Sequence, residues 1–87
     1  MLRIAVCDDE HICLKNEKRI IEDYLRSRNE EAVIDTFSSA RELLAAVSEI
    51  QYDLFMLDVE MPDCDGMEVA KRLHEIDNKA PLAFISA

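Results

Sequence analysis

The sequence predicts an α/β protein built on a parallel sheet, and three observations carry that reading. Short apolar runs, Leu2-Arg3-Ile4-Ala5-Val6-Cys7, Leu54-Phe55-Met56-Leu57 and Leu82-Ala83-Phe84-Ile85-Ser86, alternate with longer stretches whose apolar residues recur every three or four positions. Runs this short and continuous read as strands buried on both faces, and strand-helix alternation at this rhythm implies βαβ units with right-handed crossovers. The first two runs end in acids, Asp8-Asp9-Glu10 and Asp58.

The first helix is predicted from just after Glu10 to about Arg28, with Cys13, Ile20, Ile21, Tyr24 and Leu25 as its inner face and Lys15, Lys18 and Arg19 toward water. Ala32 to Phe37 mixes β-branched residues with Asp35 and reads as the sheet edge. Ser39 and Glu42 have capping-box spacing, and Leu43, Leu44, Val47 and Ile50 form a stripe behind them, which sets a helix from about Ala40 to Ile50. Tyr52 to Leu57 is the third strand. Pro62 and Gly66 break the chain, Asp65 and Glu68 favour a new helix start, and Val69, Ala70, Leu73 and Ile76 point inward until Asn78-Lys79-Ala80-Pro81 ends that helix. Leu82 to Ser86 is the fourth strand.

The 87 residues are enough for one domain with a core of marginal size. Nineteen acidic residues against ten Lys plus Arg give a net charge of -9, without a basic stripe, so this segment is expected to bind neither nucleic acid nor an anionic membrane. Cys7, Cys13 and Cys64 form no zinc-like or C-x-x-C spacing and read as reduced thiols. Leu2 to Cys7 is too short for a signal peptide, and a cytoplasmic protein is expected.

In a parallel sheet of this kind, ligands bind in the crevice outside the carboxyl ends of the strands, which would gather Asp8, Asp9 and Asp58. Carboxylates about 4 Å apart repel by roughly 4 kcal/mol per pair at an effective dielectric near 20. Ionised together, they call for a cation, so the cluster predicts a metal site. Glu10 reads as a favourable charge in the first helical turn, Asp53, Asp63 and Asp65 as turn or capping residues, and His11 and His74 as surface positions.

Cys7-Asp8-Asp9-Glu10, Leu57-Asp58, Met61-Pro62, Asp65-Gly66 and Ser86-Ala87, in that order and at successive strand ends, resemble the receiver domain of two-component response regulators across the whole chain. The resemblance implies a flavodoxin-like, doubly wound sheet in which the first four strands run in the order 2-1-3-4. It implies that Asp58 accepts a phosphoryl group from a sensor histidine kinase. Asp9 would bind Mg2+ directly, Asp8 through water, with Asp58 and the Glu60 backbone carbonyl completing the ligands. The Ser86 hydroxyl would hydrogen-bond the phosphoryl oxygen.

Against the family pattern, the fifth strand's lysine and aromatic switch residue have no counterpart, so the chain reads as a receiver cut after strand four, without the final helix-strand-helix. An uncovered fourth strand is expected to drive self-association into a homodimer, by exchange of elements or by edge pairing at Leu82 to Ser86. Phe55-Met56-Leu57-Asp58-Val59-Glu60-Met61 and Gly66-Met67-Glu68-Val69-Ala70 look most like receivers that precede LytTR-type DNA-binding domains. Two other classes compete. One is a Mg2+-dependent phosphohydrolase, which typically carries D-x-D where this chain has adjacent acids, and the other is an interaction module that accepts no phosphate.

Overall fold

The computed structural model of the chain describes residues 1–58, 60–61, 64–76 and 80–85. The expectations placed on Asp63, on the helix stop at Asn78-Lys79 and on Ser86 lie outside them. The elements are β1 (Leu2–Cys7), α1 (His11–Ser27), β2 (Ala32–Phe37), α2 (Ala40–Val47), β3 (Leu54–Asp58), β4 (Glu60–Met61), β5 (Cys64–Asp65), α3 (Gly66–Ile76) and β6 (Leu82–Ile85).

Four parallel strands form the main sheet in the order β2-β1-β3-β6, the flavodoxin-like arrangement of four strands in the order 2-1-3-4. The apolar run of β1 makes this possible. Ala5, Val6 and Cys7 are wholly buried, and a strand with apolar side chains on both faces is stable only with a strand on each side and cover above and below. β2, which carries Asp35 and Thr36, takes the edge, as its mixed composition predicts.

The two faces are covered by different helices. On one, α2 and α3 bring Leu43, Val47, Val69 and Leu73 onto Ala5, Cys7, Phe55 and Leu57. On the other, Leu14 of α1 packs on Ile4, Val6 and Ile34, flanked by Ile21, Leu25, Leu54 and Met56. Each fully buried leucine contributes about 1.5–3 kcal/mol of transfer free energy, so these contacts hold the layers together.

Helix α1 meets the sheet with Ile21 and Leu25, as the sequence suggests, but with Leu14 in place of Ile20 and Tyr24. Ile20 is 67% exposed and Tyr24 58%, while Leu14, Ile21 and Leu25 turn inward. Both sets fall at helical spacing, and only the sheet decides between them: Ile4, Val6 and Ile34 accept the branched side chains of 14, 21 and 25. The Tyr24 ring lies instead under the Arg28 guanidinium, 5.6 Å from it. The helix stops without glycine: Asn29 takes the left-handed conformation at φ 57, and the Asn29 and Glu30 N–H groups donate back to Arg26 and Leu25.

Smaller corrections concern the other helices. Ser39 caps α2 as its spacing predicts, its Oγ accepting from the Glu42 N–H at 3.2 Å, but the Glu42 carboxylate reaches back to Ser38 rather than to Ser39. The helix ends at Val47, with Ser48 as its cap, short of Ile50. Ile76, expected inside, is 53% exposed at the last turn of α3. The third strand begins at Leu54, because Asp53 leaves the ladder to tie β1: its carboxylate accepts from the Arg3 N–H, and its own N–H donates to the Arg3 carbonyl. On either side of the predicted break, β4 and β5 pair antiparallel, Glu60 with Asp65 and Met61 with Cys64.

Candidate functional site

The site is assembled where β1 and β3 end. In-register parallel pairing of Cys7 with Leu57 puts Asp8 and Asp58 at the same level of two adjacent strands. Asp8 is fixed from both sides. Its N–H donates to the Phe37 carbonyl at 3.1 Å, continuing the pairing with β2, and its Oδ1 accepts from the Glu10 N–H at 3.0 Å, turning the chain into α1. At 5% exposure it is the buried acid of the group, and Asp58 is half-buried.

One carboxylate oxygen from each of Asp8, Asp9 and Asp58 lies within 4.8 Å of the other two. Three carboxylates in that space repel strongly unless a positive charge joins them. Hard oxygen donors in this number fit a hard divalent cation that retains part of its water shell. The donor set therefore suits Mg2+ better than a metal that seeks nitrogen or sulfur. Glu60, whose backbone carbonyl the sequence reading adds to the ligands, lies in β4 two residues beyond Asp58. Ser86 falls outside the described residues.

A fourth acid stands behind the three. Glu17 of α1 hydrogen-bonds Asp8, and burial, that bond, and the negative charges of Asp8 and Asp58 together push its carboxyl up to about 7. Its Oε2 is buried without a hydrogen-bond partner among the described residues. The sequence reading passes over Glu17 because it is charged, although it stands four residues after Cys13 and four before Ile21 on the face that reading names. Three residues after Leu14 and four before Ile21, Glu17 sits on the stripe that turns to the sheet. A charged residue in the middle of an otherwise apolar stripe was the signal that would have found it.

The remaining candidates stay outside the chemistry. His11 and His74 are exposed. The Cys13 thiol is pushed up, chiefly by desolvation and by its contact with the Glu10 carboxylate at 3.6 Å, and so is held protonated. Cys7 is buried, its thiol donating to the Ser39 carbonyl. Among the described residues, no helix is long and apolar enough to cross a membrane.

Comparison with known proteins agrees with this geometry. Residues 4–87 match the family model of the response regulator receiver domain. A protein-glutamate methylesterase/protein-glutamine glutaminase of Trichodesmium erythraeum is 34% identical over 98% of this chain and 23% of its own length. The transcriptional regulatory protein PcoR of Escherichia coli is 33% identical over the whole chain and 36% of its own. The chain thus spans about a quarter to a third of these relatives.

Among solved structures, a receiver domain protein from Clostridium thermocellum superposes with a TM-score of 0.85 at 25% identity, over 99% of this chain and 65% of that one. The response regulator TrrA of Thermotoga maritima, solved with Mg2+-BeF, gives a TM-score of 0.77 at 32% identity over 100% of this chain and 70% of that one. TrrA in complex with the histidine kinase ThkA gives 0.73 at 30% identity, with the same coverage. With the family model covering nearly every residue and the acids gathered at the ends of β1 and β3, this chain belongs to the receiver domains of response regulators, which accept phosphoryl groups from histidine kinases.

Proposed function

We propose that Asp58 is the phosphoacceptor and that Asp8, Asp9, Asp58 and the backbone carbonyl of Glu60 hold Mg2+ beside it. The observation that carries this reading is the gathering of three carboxylates within 4.8 Å at the ends of two adjacent parallel strands. A carboxylate oxygen of Asp58 attacks the phosphorus of a kinase phosphohistidine. The new O–P bond forms as the P–N bond breaks, and its electron pair leaves with the imidazole nitrogen. Bound there, Mg2+ supplies neutralisation of charge on the phosphoryl oxygens. Asp8, held by the Glu10 N–H, fixes one side of the site, and the Ser86 hydroxyl is assigned to the phosphoryl oxygen.

The kinase is placed against α1, which starts two residues after Asp9 and turns Ile12, Ile20 and Tyr24 outward. Exposed apolar side chains beside the acceptor suit a partner that buries them while delivering its histidine. In the full protein, set in the cytoplasm, we assign the output to a LytTR-type DNA-binding domain. The stretches around Asp58 and Gly66 support that choice over the methylesterase output that some relatives carry. We also propose that the chain pairs with a second copy at β6, the outer strand of the sheet among the described residues. Phe84 is 43% exposed there, beside a groove of about 210 Å3 lined by Phe55, Leu73, Ala80 and Leu82.

Incubation with acetyl phosphate and Mg2+, read by intact mass, tests the central reading. One phosphoryl group is expected on the wild-type chain and none on Asp58→Asn. A folded wild-type chain that gains no mass would overturn it. Sedimentation at micromolar concentration tests the edge: a dimer is expected, and a compact monomer refutes that assignment.

A further inference from the structure

Among the described residues the sheet has two outer strands, and they are guarded differently. β2 carries Asp35 and follows Glu30 and Glu31, charges that discourage another strand from docking. β6, Leu-Ala-Phe-Ile, carries none. Its side chains alternate: Leu82 and Phe84 stand beside Phe55 and Leu57 on the face that α2 and α3 cover, and Ala83 points to the other. On that first face lie both an exposed ring, Phe84, and the groove of about 210 Å3 lined by Phe55, Ala70, His74 and Leu82. An apolar cavity of about 150 Å3 already accepts benzene, so the groove has room for a phenylalanine side chain. Phe84 does not line the groove of its own copy.

The chain's net charge of -9 would suit a basic partner elsewhere, but of the residues lining this groove only His74 is titratable. What fits here is an uncharged ring on an extended strand with free backbone groups. β6 is itself such a segment, so a second copy supplies the complement.

We propose that β6 pairs antiparallel with β6 of a second copy about a twofold axis at Ala83, and that Phe84 of each copy enters the groove of the other. The inference rests on the pairing at β6 proposed above and adds its register and its anchor. A twofold axis normal to the sheet keeps each face on its own side, and residues directly opposite share a face, so either Ala83 faces Ala83 or Phe84 faces Phe84. Two observations choose the first. The Pro81 carbonyl accepts from the Phe55 N–H at 3.1 Å, so alternate residues from 81 onward turn their backbone groups to β3, and those of Leu82 and Phe84 turn outward. With Ala83 on the axis, Leu82 stands opposite Phe84 of the second copy, and the outward N–H and C=O groups of both residues are bonded. With Phe84 on the axis, those of Leu82 find no partner among the described residues. The first register also brings each Phe84 Cβ to about 4.5–5.5 Å from the facing Leu82, at the lip of the groove, whereas the second stacks the rings and leaves both grooves empty.

Sedimentation of the wild-type chain, Phe84→Ser and Ala70→Leu, with circular dichroism to confirm folding, tests the anchor. Oxidative crosslinking of Ala83→Cys tests the register. Phe84→Ser is expected to raise the dimer dissociation constant about 100-fold, tenfold for each of the two rings. Ala70→Leu, which fills the groove from α3 without touching β6, is expected to raise it about tenfold. Ala83 is exposed, and across the axis its Cα atoms come to about 4.5 Å, within disulfide reach. Ala83→Cys is therefore expected to give a covalent dimer well above the wild-type background. Wild-type dimerisation in either folded variant, or crosslinking of Ala83→Cys no stronger than wild type, would overturn the proposal while leaving pairing at β6 standing. A wild-type chain that stays monomeric at micromolar concentration would remove both.

Discussion

The two faces of the sheet are built to different standards. Under α2 and α3, Leu43, Leu57, Val69 and Leu73 are buried essentially completely, and Phe37, Tyr52 and Phe55 form an aromatic row with ring centroids 6.3 and 5.7 Å apart. Under α1 the buried set is small, Ile4, Val6, Leu14 and Ile34, its neighbours are half-covered, and Glu17 lies among them. The polar group on the first face is satisfied: the Tyr52 hydroxyl donates to Asp35 at 2.7 Å. On the second face Glu17 has an oxygen without a hydrogen-bond partner among the described residues, beside the acidic cluster. One face supplies stability, and the other accepts a local cost beside the chemistry.

Truncations on the two faces should break the comparison most sharply. Leu43→Ala is expected to cost about 3–5 kcal/mol, most of the stability that a domain of this size commands, because its site is enclosed on all sides. Leu14→Ala, at the thinner face, is expected to cost about 2–3 kcal/mol, since neighbours can relax into the space. Urea midpoints of the two variants, measured together, decide it, and equal losses would erase the distinction. Tyr52→Phe, which leaves the ring and removes the hydroxyl, should cost about 1–2 kcal/mol in the same assay. Burial and the bond to Asp35 push the Tyr52 hydroxyl up, so that contribution is complete below its ordinary titration range and is lost only in strong alkali.

The pH response sharpens the contrast. Glu17 is raised from 4.5 to about 7 on folding, so the folded state holds its proton more tightly than the unfolded chain does. Its contribution to stability is therefore complete below about pH 4.5 and is lost as pH rises through about 7. In metal-free protein, the difference in melting temperature between wild type and Glu17→Gln should change across that window in the direction that disfavours wild type at higher pH. A difference that stays constant from pH 4.5 to 8 would contradict the assignment. The smallest expected effect is at the cap of α2. Ser39→Ala should cost about 1 kcal/mol, read as a shift in urea midpoint, because the Glu42 N–H loses its acceptor.

Much of this was legible in the chain before any coordinates. Continuous apolar runs placed β1, β3 and β6, Asp35 and Thr36 marked β2 as the edge, and Ser39 with Glu42 marked the start of α2. The acids at strand ends placed Asp8, Asp9 and Asp58 in one crevice, since parallel strands in register bring their carboxyl ends to the same side. The face of α1 was legible only in part: Ile21 and Leu25 turn inward as expected, Ile20 and Tyr24 do not, and the period of a helix fixes the existence of a stripe but not its edges.

Local chemistry therefore determined the elements, the edge position of β2 and the three clustered acids, because strand burial, capping and charge repulsion act through residue type at short range, while the order of the strands came with the resemblance to receiver domains. Only the tertiary structure decided the edges of the inner stripe of α1, the bond between Tyr52 and Asp35, and the place of Glu17 behind Asp8. Those depend on which surface a side chain meets after packing, and the available surfaces are set by residues dozens of positions away.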